Sequence, residues 1–110
     1  MQVVVVASEA LGRGDDELGR QLMVKFLNSL WKHAKKPDAI IFYNTGVKLL
    51  TAGGAVLEVL TALRDAGVDL VACGTCASYF QLTDKILIGR VSGMDEIVDL
   101  QLRADSVITA

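Results

Sequence analysis

Val3-Val4-Val5-Val6-Ala7, Ala39-Ile40-Ile41-Phe42-Tyr43 and Val68-Asp69-Leu70-Val71-Ala72 are short, rich in β-branched residues and almost free of polar interruption. A strand that is apolar at successive positions has no face to give to water, so both of its faces must be covered. This points to a parallel sheet held between helical layers. Ile86-Leu87-Ile88 and Ser106-Val107-Ile108 are weaker candidates for a fourth and a fifth strand.

Helical periodicity fills the gaps. Leu18, Leu22, Phe26, Leu27, Leu30, Trp31 and Ala34 recur at steps of three and four, opposite Glu17, Arg20, Gln21, Lys25, Asn28 and Lys32, which predicts an amphipathic helix. Gly14 or Asp15 can cap its start, where Asp16 and Glu17 suit the helix dipole, and Pro37 ends it by disfavouring a helical Lys36. Residues 54–66 form a second helix that Gly67 stops in a left-handed conformation. Met94, Ile97, Val98 and Leu102 mark a third, and a short turn or helix is expected after Cys76. This order of elements predicts one domain over residues 1–110, a three-layer α/β/α sandwich around a mainly parallel sheet of about five strands.

Composition narrows the function class. Hydrophobic residues make up 52% of the 110 positions and charged residues 22%, the opposite of a disordered chain. A net charge of −2 gives no electrostatic reason to seek nucleic acid or an anionic membrane. The apolar runs fall short of the roughly 18 residues that span a bilayer. No basic leader or cleavage-site pattern precedes the first strand, so a cytoplasmic location is expected. Two Cys cannot supply the disulfide framework of a secreted domain.

In sheets of this kind ligands sit beyond the carboxyl ends of the strands, here loops 8–16, 44–53 and 73–81. The strongest chemical signal lies in the last, Cys73-Gly74-Thr75-Cys76. A thiol at a strand end that opens a helix feels the positive end of the helix dipole, which can lower its pKa and raise the thiolate fraction. The thiolate attacks sulfur and can hold a terminal sulfur as a persulfide, and Gly74 and Thr75 keep its approach open. Three alternatives stand beside this. Either Cys could be a small buried hydrophobe. A structural zinc site needs four ligands, whereas this chain has two Cys and one distant His, His33. Dithiol exchange is compatible with CxxC, although Ala72 replaces the aromatic residue that usually precedes such a motif.

The other loops carry weaker signals. Gly12, Gly14 and Gly19 imitate a dinucleotide fingerprint, but its third glycine would fall at Glu17, and Asp15-Asp16-Glu17 would repel a pyrophosphate. That loop is either a tight turn with a charged helix cap or a segment from which Arg13 reaches over the thiol site. After the second strand, Asn44 and Thr45 face the presumed cleft. Lys48 either stabilises a sulfur anion or sits in solvent. His33, beside Lys32 and Lys35, complements the helix C-terminus, away from the thiols.

Together Gly12-Arg13-Gly14-Asp15-Asp16-Glu17-Leu18-Gly19, Phe42-Tyr43-Asn44-Thr45-Gly46-Val47-Lys48-Leu49, Cys73-Gly74-Thr75-Cys76 and Val91-Ser92-Gly93-Met94-Asp95-Glu96-Ile97-Val98 resemble the DsrE/DsrF-like sulfur-relay superfamily. Within it the chain is most similar to YedF-type, sulfurtransferase-like selenium-metabolism proteins, from which it departs at Gly93, where Asn is usual. The resemblance implies an oligomeric α/β/α protein that passes persulfide sulfur between a protein donor and acceptor. It maps the sulfur-bearing Cys onto Cys73, with Cys76 as the added YedF-type position. Many relatives carry an N-terminal TusA-like domain, so such a partner is expected to act in trans.

The expectation is therefore a persulfide carrier or sulfurtransferase-like protein. Cys73 attacks the donor and Cys76 resolves it or shares the load, while Arg13, Asn44, Lys48, Gly74 and Thr75 line the site. Direct thiol exchange needs no metal or organic cofactor. The alternative is a non-catalytic oligomeric subunit with structural cysteines. A homo-oligomer is expected because helix one is apolar over a wide arc that includes Met23 and Trp31.

Overall fold

A computed structural model describes residues 1–110. Five strands, β1 (Gln2–Val6), β2 (Ala39–Phe42), β3 (Asp69–Cys73), β4 (Arg90–Ser92) and β5 (Ser106–Thr109), form one all-parallel sheet in the order β4-β3-β2-β1-β5. The helices are α1 (Asp16–Lys32), α2 (Ala55–Asp65), α3 (Gly74–Tyr79) and α4 (Met94–Arg103), with a 3-10 helix over Asn44–Leu50. None of them is long and apolar enough to cross a membrane alone.

Alternation along each strand splits the core in two. Val4, Val6, Ile40, Phe42, Leu70 and Ala72 pack with Met23 and Leu27 of α1 and with Val59, Leu60 and Leu63 of α2. Val3, Val5, Ile41, Val71 and Cys73 point the other way, towards Ile97 and Leu100 of α4. The chain steps in one direction from β1 to β4 and then returns across β1 to β5. Right-handed crossovers therefore put α1 and α2 on one face and α4 on the other.

Asp15 is the N-cap of α1, its carboxylate accepting from the Leu18 N–H at 2.9 Å. Gly67 ends α2 with φ +98°. The buried stripe of α1, however, is Gly19, Met23 and Leu27, while Leu18, Leu22 and Trp31 stay exposed. Gly19 sets this rotation. A Cβ there would lie 2.8 Å from the Ala10 Cβ, so the helix seats its glycine against the preceding loop. Hydrophobic periodicity does not see a glycine, and Met23 is a core residue rather than surplus surface.

The fourth strand also differs from expectation. Ile86-Leu87-Ile88 is not a strand; Ile88 is buried in the first core and Gly89 turns the chain with φ +87°. Arg90–Ser92 pairs with Val71–Cys73 instead. This edge strand is polar because an ionic network holds it. Arg90 forks to Asp69 at 3.0 and 2.8 Å and to Glu96 at 2.7 and 2.8 Å, which ties β3, β4 and α4 together.

Hydrogen bonds from Arg90 and then Ser92 hold the Glu96 carboxyl down at about 2. A carboxylate depressed on folding contributes stability above its ordinary value of 4.5 and loses that contribution as pH falls towards about 2. Acid unfolding of the native chain should therefore show a component in this window that Arg90→Met lacks. Titrating both by circular dichroism checks it, and parallel acid curves would contradict it. The groups are partly exposed and screened by solvent, so removing the network at neutral pH should cost little stability.

Candidate functional site

The site is built where β2 and β3 end. The Tyr43 N–H donates to the Val6 carbonyl at 3.0 Å, and Gly46 presses against the same carbonyl, where a Cβ would come within 2.4 Å of its oxygen. The loop is thereby clamped on the end of β1. Thr45 adds a second tie, its Oγ1 accepting from the Glu9 N–H at 3.3 Å and meeting the Ser8 hydroxyl at 3.4 Å.

Clamped in this way, Asn44 takes up φ +48°, a left-handed conformation that Asn tolerates better than most residues. Its Oδ1 accepts from the Thr45 N–H at 2.8 Å, and its own N–H points at the Cys76 Sγ, 3.0 Å away.

Cys73 closes β3 and is the N-cap of α3, which begins two residues before Cys76 rather than after it. Cys73 at the N-cap and Cys76 at the third helical position place the two thiols as neighbours. Their surroundings differ. Cys73 is 1% exposed, packed among Val71, Ile97 and the rest of the α4-side core. Cys76 is half-buried and lines an open cleft of about 410 Å³ with Asn44, Thr75, Tyr79 and Phe80. Gly74 lets α3 sit close to β4, since a Cβ there would meet the Ser92 carbonyl oxygen at 3.3 Å.

Tyr79 and Phe80 pack edge to face, with ring centroids 5.2 Å apart, and wall the cleft. Sequence reasoning missed both. Their spacing was the available signal, because residues three and four after Cys76 share its side of a helix. Lys48 lies over the Phe80 ring at 4.7 Å, a cation–π contact that stiffens the wall of the cleft. Tyr43 links the site to α4, accepting from Gln101 Nε2 at 2.9 Å and donating to Met94 Sδ at 3.8 Å.

Burial pushes the Cys76 thiol above its ordinary range, the Asn44 N–H draws it back, and the Cys73 thiol beside it adds to the rise. Cys76, inside α3 rather than at its start, is therefore not a dipole-lowered thiol. A six-residue helix adds little field, and the sulfur is tucked against hydrocarbon.

Arg13 is not brought to this cleft. It lines a separate concavity of about 440 Å³ with Ser8, Gly12, Asp16 and Ala110, next to the ends of β1 and β5, so the 12–19 loop is a turn and helix cap. His33 caps the other end of α1, its Nδ1 accepting from the Lys35 N–H at 3.0 Å. No group of three His, Cys, Asp or Glu side chains converges to hold a metal ion.

Residues 3–110, which include every loop described above, match the model of the DsrE/DsrF-like family. The chain belongs to that family. Solved structures agree on the fold. The YchN protein of Escherichia coli is 18% identical with a TM-score of 0.67, covering 99% of this chain and 98% of its own. A protein of unknown function from Methanobacterium thermoautotrophicum is 22% identical with a TM-score of 0.69 over the same shares. One from Bacteroides thetaiotaomicron is 19% identical with a TM-score of 0.65, covering 99% of this chain and 94% of its own. No curated protein matches the sequence. At such identities the likeness speaks for the architecture, and the chemistry rests on the cleft.

Proposed function

We propose that this chain is a persulfide carrier in which Cys76 takes up the sulfur. One observation carries the proposal: Cys76 presents a half-buried sulfur to an open cleft with a backbone N–H donor 3.0 Å away, whereas Cys73 is shut inside the core. This exchanges the roles that sequence assigned to the two cysteines. The Cys76 sulfur attacks the outer sulfur of a donor persulfide. The donor leaves as a thiolate and takes the proton, so that donor–SSH and Cys76–SH become donor–SH and Cys76–SSH. The Asn44 N–H offsets the negative charge on Cys76 in the attack.

A raised thiol pKa lowers the thiolate fraction at neutral pH but makes each thiolate a stronger nucleophile. Membership of the DsrE/DsrF-like family supports sulfur relay. The proposal adds a TusA-like donor or acceptor acting in trans and a cytoplasmic setting. Selenium obeys the same displacement chemistry, and similarity to YedF-type proteins supports it as a second cargo. Self-association is part of the proposal, supported by the exposure of Leu18, Leu22 and Trp31 on α1 and of Val98 and Leu102 on α4. The alternative, an oligomeric subunit with structural cysteines, is favoured by the burial of Cys73 alone and does not account for the cleft at Cys76.

Incubating the native protein with cysteine persulfide and reading its intact mass should reveal an adduct of one sulfur atom. An added thiol acceptor should then remove it. A native chain that takes up no sulfur would contradict the proposal.

A further inference from the structure

Relay alone leaves Cys73 without a task, yet its thiol neighbours that of Cys76 and belongs to the α4-side core rather than to the cleft lining. A persulfide on Cys76 would have its inner sulfur against Cys73 and its outer sulfur in the open cleft. Thiol–disulfide displacement runs through a near-linear arrangement of attacking, central and leaving sulfur, and which sulfur is attacked decides the product. Attack on the outer sulfur would only move the persulfide to Cys73, inside the core. Attack on the inner sulfur, the atom that neighbours Cys73, frees its leaving group into the open cleft.

We propose that the chain can also end the relay, reducing the captured sulfur to sulfide by means of Cys73. The proposal rests on Cys76 as the sulfur-bearing residue. The Cys73 sulfur forms a bond to the inner sulfur of Cys76–S–SH, and the bond between inner and outer sulfur breaks. The outer sulfur leaves with the bonding pair as HS⁻ and takes up the Cys73 proton as H₂S. The two cysteines lose two electrons and become a Cys73–Cys76 disulfide, while the sulfane sulfur gains two. A dithiol reductant from solution then restores both thiols.

Burial makes Cys73 selective. At 1% exposure it cannot meet a donor, an oxidant or a second protein directly, so it reacts only with what Cys76 already holds. The Asn44 N–H, 3.0 Å from the Cys76 sulfur, offsets negative charge on the central sulfur during the displacement. A sulfur acceptor docked at the cleft competes with Cys73 for the load. Occupancy by that acceptor therefore decides between relay and release.

The test loads native protein, Cys73→Ala and Cys73→Ser with cysteine persulfide, removes the donor, and follows intact mass and free sulfide together. Ala removes the thiol without burying a hydroxyl, so the result does not depend on the Ser variant folding. The native chain should lose its adduct and end two hydrogens lighter than the reduced protein, with one sulfide released per chain. In both variants the adduct should persist roughly tenfold longer or more, because an intramolecular attacking group has been lost, and sulfide should appear only on adding a dithiol. A native adduct as long-lived as that of Cys73→Ala, with no disulfide formed, overturns the inference and leaves the carrier role intact. Failure of Cys73→Ala to take up any sulfur would count against the carrier role itself.

Discussion

Cys76→Ser is expected to make the native protein nearly inert towards a thiol reagent such as iodoacetamide, slowing its modification on the order of 100-fold. The half-buried Cys76 sulfur is reached from the cleft, whereas Cys73 is 1% exposed and reacts only when the α4-side core opens. Opening such a core costs several kcal/mol, and each 1.4 kcal/mol is about a factor of ten in the reactive population. In the native chain the fast phase should consume one thiol. Its rate should climb with pH through neutrality and past the ordinary thiol range, because burial has raised the pKa and only the thiolate reacts. A fast phase that survives Cys76→Ser, or a rate already level at neutral pH, would contradict this picture of the cleft.

Gly46→Ala should cost about 2–3 kcal/mol, the size of an overpacked core substitution. The added methyl would sit 2.4 Å from the Val6 carbonyl oxygen, and that oxygen already accepts the Tyr43 N–H. Neither group is the free end of a flexible side chain. The 3-10 helix must lift off β1 and carry Asn44 with it, so the N–H at Cys76 moves as well. Thermal unfolding should drop by roughly 10 °C or more, and modification of Cys76 should change its pH profile in the same variant. Gly53→Ala is the control. Nothing lies within 4 Å of its added Cβ, so stability should stay within about 0.5 kcal/mol. If the two variants behave alike, the clamp on Asn44 has no energetic reality.

What sequence could reveal follows the nature of each signal. Strands β1 to β3 are apolar on both faces, and burial on both faces is the one condition that writes an unbroken hydrophobic run. β4 is held by Arg90, Asp69 and Glu96 across three elements, a long-range ionic arrangement that leaves no local pattern, so Ile86-Leu87-Ile88 drew the eye instead. The apolar stripe of α1 places Phe26, Leu27 and Leu30 against the core but not Leu18, Leu22 and Trp31, because the helix is seated by Gly19 meeting Ala10. At the site, CxxC named both thiols but could not rank them. Which sulfur faces the cleft depends on where α3 starts, and it starts at Gly74, directly after Cys73. Asn44 was legible as a polar residue at a strand end. Its role as a backbone donor was not, because it depends on a positive φ imposed by packing on β1. Arg13 looked adjacent through its loop, yet it lies beyond β1, on the side of β5.

The most direct measurement compares sulfur uptake by two chains that each keep one thiol, Cys73→Ala and Cys76→Ser, under native conditions with the same persulfide donor. With Cys76 as the sulfur-bearing residue, Cys73→Ala should capture sulfur on the order of 100-fold faster than Cys76→Ser, and adding denaturant should narrow the gap. Equal or faster capture by Cys76→Ser would place the sulfur on the buried thiol and contradict the account.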